Sequence, residues 1–137
     1  MISLAQYIGG HANSKDLTDV RRHNAAVLLN VVNAAIAHMQ KKGVVFKTNP
    51  KTETQISGNT EGGFRPQGTI TGKKFSAHKE GMAVDIYDPD NAIDNYITAH
   101  PEVLDTFNLY REHPSATPRW CHLTTRAPKS GRRTFYP

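Results

Sequence analysis

The sequence contains a single cysteine, Cys121, among its 137 residues. No intrachain disulfide can form, and zinc sites built from four cysteines are excluded. Any metal site in this chain must therefore take its ligands from histidine, aspartate or glutamate. The sequence offers seven histidines and 12 acidic residues for that purpose.

Long apolar runs are also missing. No stretch approaches the ~18 apolar residues of a membrane-spanning helix, so we expect no stable membrane insertion. The N-terminal segment MISLAQYIGGHANSKD lacks the basic region and long apolar core of an export signal. We therefore expect synthesis in the cytoplasm.

Apolar residues make up only 37% of the chain, but charged residues make up only 21%, so the composition is not that of a disordered protein. The length is typical of one domain, and we expect residues 1–137 to form a single, monomeric domain. The net charge of +5 favours polyanionic partners such as nucleic acid, anionic lipid or the acidic polymers of a bacterial envelope. No helix-turn-helix, finger spacing or aromatic-basic platform is evident, so nucleic-acid binding is not expected.

The clearest periodic pattern predicts an amphipathic helix over residues 18–42. Thr18 or Asp16 can cap its start, and Gly43 can end it. The residues expected to face the core are Val20, Val27, Leu28, Val31, Val32, Ala35, Ile36 and Met39.

Period-two patterns predict strands at 44–48, 52–57, 82–87 and 119–125. Short helices are expected at 3–8, at 102–108, and after Asp90 or Asn91, either of which can act as the cap. A Gly-rich, irregular loop is expected at 58–72, and a basic arm at 127–137. The predicted fold is α+β: a small antiparallel sheet packed against a long N-terminal helix and short helices.

Two polar side chains interrupt the predicted apolar strands. Asp85 lies between Val84 and Ile86, where a carboxylate is costly to bury without a cation or several donors. His122 lies in the second strand, beside Trp120. Together with His78, these residues can supply three ligands to a zinc ion and leave a fourth position for water. Asp85 could instead pair with an arginine, and a histidine beside a tryptophan could belong to the core.

The pattern Ser-x-His-x-x-Gly-x-Ala-x-Asp at 76–85, followed by Trp-x-His at 120–122, resembles the signature of the peptidase M15 family. That family includes D-alanyl-D-alanine carboxypeptidases and bacteriophage endolysins, and shares its zinc fold with the hedgehog signalling domain. Gly63-Phe64-Arg65 also resembles a family element whose arginine binds a substrate carboxylate. The resemblance covers roughly residues 15–137.

The resemblance implies that the sheet carries a Zn²⁺ site made of His78, Asp85 and His122, which hydrolyses a peptide bond in the peptidoglycan stem. It also implies that the protein acts on the cell wall after release from a bacterial or host cytoplasm. It assigns substrate binding to Arg65. Ser76 can support the ligands or the turn that carries them, and it is also a candidate for substrate binding. Cys121 should point away from the metal, because neighbouring strand residues face opposite sides.

The sequence departs from the family pattern at Arg119, three residues before the last ligand, where many members have an acidic general base. A cation cannot accept a proton from water. The expected substitute is Glu112, which would face the metal if its segment and the 119–125 strand form a hairpin. Glu80 is a weaker candidate, and His113 could act as an acid. The alternative is a non-hydrolytic, zinc-containing module that binds the cell wall or forms part of a virion.

Overall fold

The computed structural model describes residues 1–71 and 75–137. Within these residues the chain forms a mixed α+β structure with four α-helices and four β-strands. The helices are α1 (Leu4–Ile8), α2 (Asp19–Lys41), α3 (Ala92–Ala99) and α4 (Glu102–Thr106). The strands are β1 (Ala83–Tyr87), β2 (Tyr110–Glu112), β3 (Trp120–Thr124) and β4 (Thr134–Phe135). The expected irregular loop reaches Gly72, which lies outside the described residues.

Helix α2 begins and ends where the sequence predicts. The Thr18 hydroxyl accepts a hydrogen bond from the Arg21 backbone N–H and so satisfies a free donor of the first turn. Two of the expected core residues are wrong, because Val20 is 70% exposed and Val27 is 46% exposed. They lie outside the buried stripe of the helix, whose residues recur every three or four positions. That stripe consists of Ala25, Leu28, Leu29, Val32, Ala35, Ile36 and Met39.

The sheet has the order β1-β3-β2-β4. Strand β3 pairs antiparallel with both β1 and β2, which confirms the predicted small antiparallel sheet and the predicted hairpin. The expected basic arm adds β4, which pairs with β2 in parallel. The fourth strand was not predicted, because it has only two residues and depends on pairing rather than on a pattern of its own.

The strands predicted at 44–48 and 52–57 are wrong as regular strands. The structure has only isolated bridges there, between Asn49 and Thr54 and between Ile56 and Ile86. The Asn49 side chain donates to the carbonyls of Ile56 and Gly58, so it replaces ladder bonds with a compact turn. The chain then runs along the outer edge of β1 and covers it.

Helix α3 is capped by a different residue from those expected. Asn91 occupies the cap position but makes no side-chain cap bond. The Asp88 carboxylate instead accepts hydrogen bonds from the backbone N–H groups of Ile93 and Asp94. Helix α4 ends at Thr106, two residues before the predicted end.

The two faces of the sheet have different roles. Val84 and Ile86 of β1 and Cys121 and Leu123 of β3 join the core that includes the buried stripe of α2. Alternation along each strand places the intervening residues on the opposite face. That face carries the polar side chains. In the described parts of the chain, no helix is both long and apolar enough to cross a membrane.

Candidate metal centre

Asp85 and His122 are directly opposite each other in the pairing of β1 with β3. Both side chains project from the face of the sheet that is turned away from the core. Directly opposed residues place their Cβ atoms about 4.5–5.5 Å apart, so the side chains can contact each other. The two polar interruptions of the strand pattern therefore meet at one point.

His78 reaches the same point from a 3-10 turn, Ala77–Glu80, that precedes β1. The Ser76 hydroxyl caps this turn by accepting a hydrogen bond from the His78 N–H. Gly81 ends the turn in the left-handed region, at φ 72°. A Cβ at Gly81 would overlap the carbonyl oxygen of Arg21 on α2, so glycine is required both by conformation and by close approach.

The three side chains form a buried cluster whose ligand atoms all lie within 4.8 Å of one another. Asp85 Oδ1 is 3.2 Å from His78 Nε2 and 2.8 Å from His122 Nδ1. His78, Asp85 and His122 are at most 9% exposed. This cluster could hold a metal ion, as the sequence predicts.

The loop of Gly62 to Arg65 orients the ligands. The Gly63 carbonyl lies 2.8 Å from His78 Nδ1, and a carbonyl can only accept, so Nδ1 donates to it and Nε2 is the ring nitrogen that faces the cluster. The Gly62 carbonyl accepts from the Asp85 N–H, and the Arg65 N–H donates to the His78 carbonyl. A side chain at Gly63 would overlap the backbone of Tyr7, so only glycine fits at this position.

Arg65 lies beside the cluster and is 9% exposed. Its Nη2 is 3.3 Å from Asp85 Oδ2, and its Nε donates to the Glu61 carbonyl at 2.6 Å. The sequence left two alternatives for Asp85, a metal or an arginine, and its two oxygens serve both. Oδ2 pairs with Arg65, and Oδ1 faces the two histidines. The guanidinium also lines the pocket above the cluster.

Asp85 is held in its charged form. Burial alone would raise its pKa, but the charges and hydrogen bonds of His78 and His122 outweigh that effect and hold the pKa well below the ordinary value. A carboxylate that stays ionised is the form that binds a metal.

Glu112 lies at the edge of the cluster, as the hairpin of β2 and β3 requires. Its Oε2 is 3.8 Å from His122 Nδ1, and its half-buried side chain lines the same pocket. The flanking residues fix its strand, because Arg111 N–H donates to the Arg133 carbonyl and His113 N–H to the Phe135 carbonyl. Among residues 1–71 and 75–137, Glu112 has the only side-chain carboxylate besides that of Asp85 that lines this pocket.

Arg119, which stands where the family has its base, and the weaker candidates for proton transfer all lie away from the cluster. Arg119 is exposed, has φ 72° and lines a separate hollow. Glu80 pairs with Arg21 on α2, 3.3 Å away. His113 stacks on Tyr136 with ring centroids 4.4 Å apart and does not line the pocket. Cys121 is buried on the core side of β3, as expected.

The pocket above the cluster has a volume of about 340 Å³ and is bounded by a largely apolar wall. The wall residues are Phe75, Trp120, Ala127, Pro128, Phe135 and Pro137. Most of them come from residues 125–137, the tail, whose course depends on the pairing of β4 with β2 and was not predicted. Arg126, which also lines the pocket, was not predicted. It lies four residues after His122, and residues at even spacing along an extended chain face the same side, so the sequence did contain a signal for it.

Comparison with known proteins found no matching family model, curated protein or solved structure. The chemistry of the site follows from its own side chains. Two imidazoles and a carboxylate converge at the floor of an open pocket, and a second carboxylate stands beside them. Such a set can bind a divalent cation and accept a proton next to it.

Proposed function

We propose that this chain is a zinc-dependent peptidase that hydrolyses a peptide bond in the stem peptide of bacterial peptidoglycan, as a D,D-carboxypeptidase or an endolysin-like endopeptidase. The observation that carries the proposal is the buried cluster of His78, Asp85 and His122 at the floor of a pocket that also contains Glu112. The resemblance of the 76–85 and 120–122 motifs to peptidase M15 supports the choice of reaction and substrate.

The donor set favours zinc over the hard cations. Two imidazole nitrogens and one carboxylate oxygen match the three protein ligands of catalytic zinc sites, whereas Ca²⁺ and Mg²⁺ prefer oxygen ligands. Gly63 and Arg65 contact the ligands from outside, as outer partners of zinc ligands commonly do. Bound zinc would lower the pKa of a water molecule to about 7 and polarise the substrate carbonyl.

The chain's own residues supply the remaining roles. Glu112 takes a proton from the attacking water and returns it to the amine that leaves when the C–N bond breaks. Its position beside His122 places it next to the metal ligands. Arg65 holds Asp85 in place through Oδ2 and is itself one of the residues that line the pocket.

Peptidoglycan as the substrate is supported by charge and by the pocket wall. The net charge of +5 favours approach to an anionic cell wall. Apolar side chains around the pocket suit the methyl groups of alanine residues in a stem peptide.

Mass spectrometry of fragments released from purified peptidoglycan tests the proposal. Zinc-loaded protein should release peptide fragments, and the fragment masses should identify the bond. Glu112→Gln should release almost none while retaining zinc. Full zinc occupancy with no release by the unaltered protein would favour the alternative, a zinc-containing module that binds the wall or forms part of a virion.

A further inference from the structure

Two arginines line the pocket, and they differ in how much of their hydrogen-bonding capacity is already used. Arg65 is buried and donates to Asp85 and to the Glu61 carbonyl. Arg126 is exposed, and its guanidinium has no acidic or carbonyl partner within residues 1–71 and 75–137. Arg126 therefore has its full set of donors available to a ligand.

The position of Arg126 is set by the end of β3. His122 and Thr124 project from the same face of that strand, and Arg126 follows two residues later. The Thr124 hydroxyl donates to the Met82 carbonyl at 2.6 Å and accepts from the Arg126 N–H at 3.0 Å. The backbone of Arg126 is thus held against the sheet, while its exposed side chain lines the pocket.

The charges around the pocket favour the binding of an anion. Asp85 is paired with Arg65 and the two histidines, and Glu112 lies against His122. A divalent cation in the cluster would balance the two carboxylates, which leaves the two arginines as excess positive charge. Of these two arginines, Arg126 has no ion pair in the part of the chain that the structure describes.

We propose that Arg126 binds a carboxylate of the peptide substrate, next to the bond that is hydrolysed. This inference rests on the proposed function for the identity of the ligand, and it gives the anchoring role to a residue other than Arg65. The guanidinium donates two parallel hydrogen bonds to a carboxylate, a geometry that lysine cannot reproduce. Arg126 is accordingly a specificity-determining residue that selects substrates with a free carboxylate near the scissile bond.

Calorimetric binding of N-acetyl-D-alanyl-D-alanine and of its C-terminal amide tests the inference without turnover. Both peptides are titrated into zinc-loaded Glu112→Gln protein, alone and combined with Arg126→Ala, Arg126→Lys or Arg132→Ala. Arg132 is an exposed arginine of the same tail that does not line the pocket, so its variant is the matched control. Circular dichroism and zinc content confirm that each variant is folded and loaded.

We expect the free acid to bind roughly tenfold or more tightly than the amide, since charge-assisted pairs are the stronger hydrogen bonds. Arg126→Ala should abolish this preference, Arg126→Lys should restore part of it, and Arg132→Ala should leave it intact. An undiminished preference in Arg126→Ala, or none in the parent, would overturn the inference. If the unaltered protein hydrolyses no peptidoglycan but the preference depends on Arg126, the proposed function fails and the anchoring role stands.

Discussion

Glu112 Oε2 lies 3.8 Å from Nδ1 of His122, across the hairpin that joins β2 to β3. The pairing of Arg111 with Leu123 sets this relationship, because it places the next residue of β2 at the edge of the cluster. The same strand is held on its other side by β4. A carboxylate is thereby fixed beside His122, one of the proposed metal ligands, by backbone hydrogen bonds on both sides.

The first prediction concerns this carboxylate. Glu112→Gln should lower kcat on peptidoglycan by about 10²- to 10⁴-fold, because the amide cannot accept the proton from water. Zinc content, measured by mass spectrometry of the metal, should stay unchanged. Glu102→Gln, an exposed change on α4, is the control and should retain full rate. Equal rates for the two variants would remove Glu112 from the mechanism.

Removal of a ligand should release the metal. Asp85→Asn replaces the carboxylate that faces both histidines, and we expect zinc affinity to fall by at least about tenfold. Asp105→Asn, at an exposed aspartate paired with Arg133, should bind zinc like the parent. A competition titration with a chromophoric chelator measures both affinities. Unaltered affinity in Asp85→Asn would place the metal elsewhere.

Chelation should also lower the stability of the folded chain. Because the ligands come from separate segments, the metal binds the folded state in preference to the unfolded one and stabilises it by mass action. We expect Tm to fall on dialysis against a chelator and to recover with one equivalent of zinc. The same Tm with and without zinc would contradict a site formed by these residues.

Gly81 should tolerate no side chain. Gly81→Ala forces a Cβ into the left-handed region and against the Arg21 carbonyl, so the free energy of unfolding should fall by at least about 1–3 kcal/mol. Gly10→Ala is the control, because a Cβ there meets no atom within 4 Å. Urea unfolding of both variants measures the difference. Equal stabilities would show that the turn before β1 is not constrained as described.

The buried carboxyl of Asp94 should make stability fall as pH rises. Burial raises its pKa from 3.8 to about 6, against the opposing effect of Arg111. Between these two values the folded state binds more protons than the unfolded state, so the free energy of unfolding decreases with pH, by on the order of 2–3 kcal/mol. The contribution is present below about pH 4 and lost through pH 6.

Asp94→Asn isolates this effect, because the amide does not titrate. Urea unfolding of metal-free parent and variant at pH 4 and pH 6.5 should show a parent that loses more stability across the interval. Other titrating groups are shared by both proteins and cancel in the comparison. A parent and variant with the same pH dependence would contradict the raised pKa.

The sequence predicts the parts of the fold that depend on local patterns. Helix α2 has a long apolar repeat and a local cap at Thr18, and strands β1 and β3 have short alternating patterns, so the positions of these elements can be predicted. Strand β4 and the turn at Asn49 depend on hydrogen bonds to distant or side-chain partners. Such partners leave no periodic signal, and these elements were missed or assigned wrongly.

The candidate site also has parts that the sequence predicts and parts that it does not. Asp85 and His122 stand out because polar residues interrupt apolar strands, and the hairpin brings Glu112 to them. The Gly63 carbonyl that orients His78 belongs to a loop with no repeating pattern. The pairing of Arg65 with Asp85 depends on the same loop. Contacts of this kind between a loop and a strand cannot be predicted from the pattern of the sequence.

A titration of metal-free protein with zinc, followed by the rate of peptide release from purified peptidoglycan, tests the central claim most directly. The rate should rise in proportion to added zinc and stop rising at one equivalent, and His122→Ala should show no such rise. Release of peptides without any zinc, or no release at one bound equivalent, would contradict a zinc peptidase built on His78, Asp85 and His122.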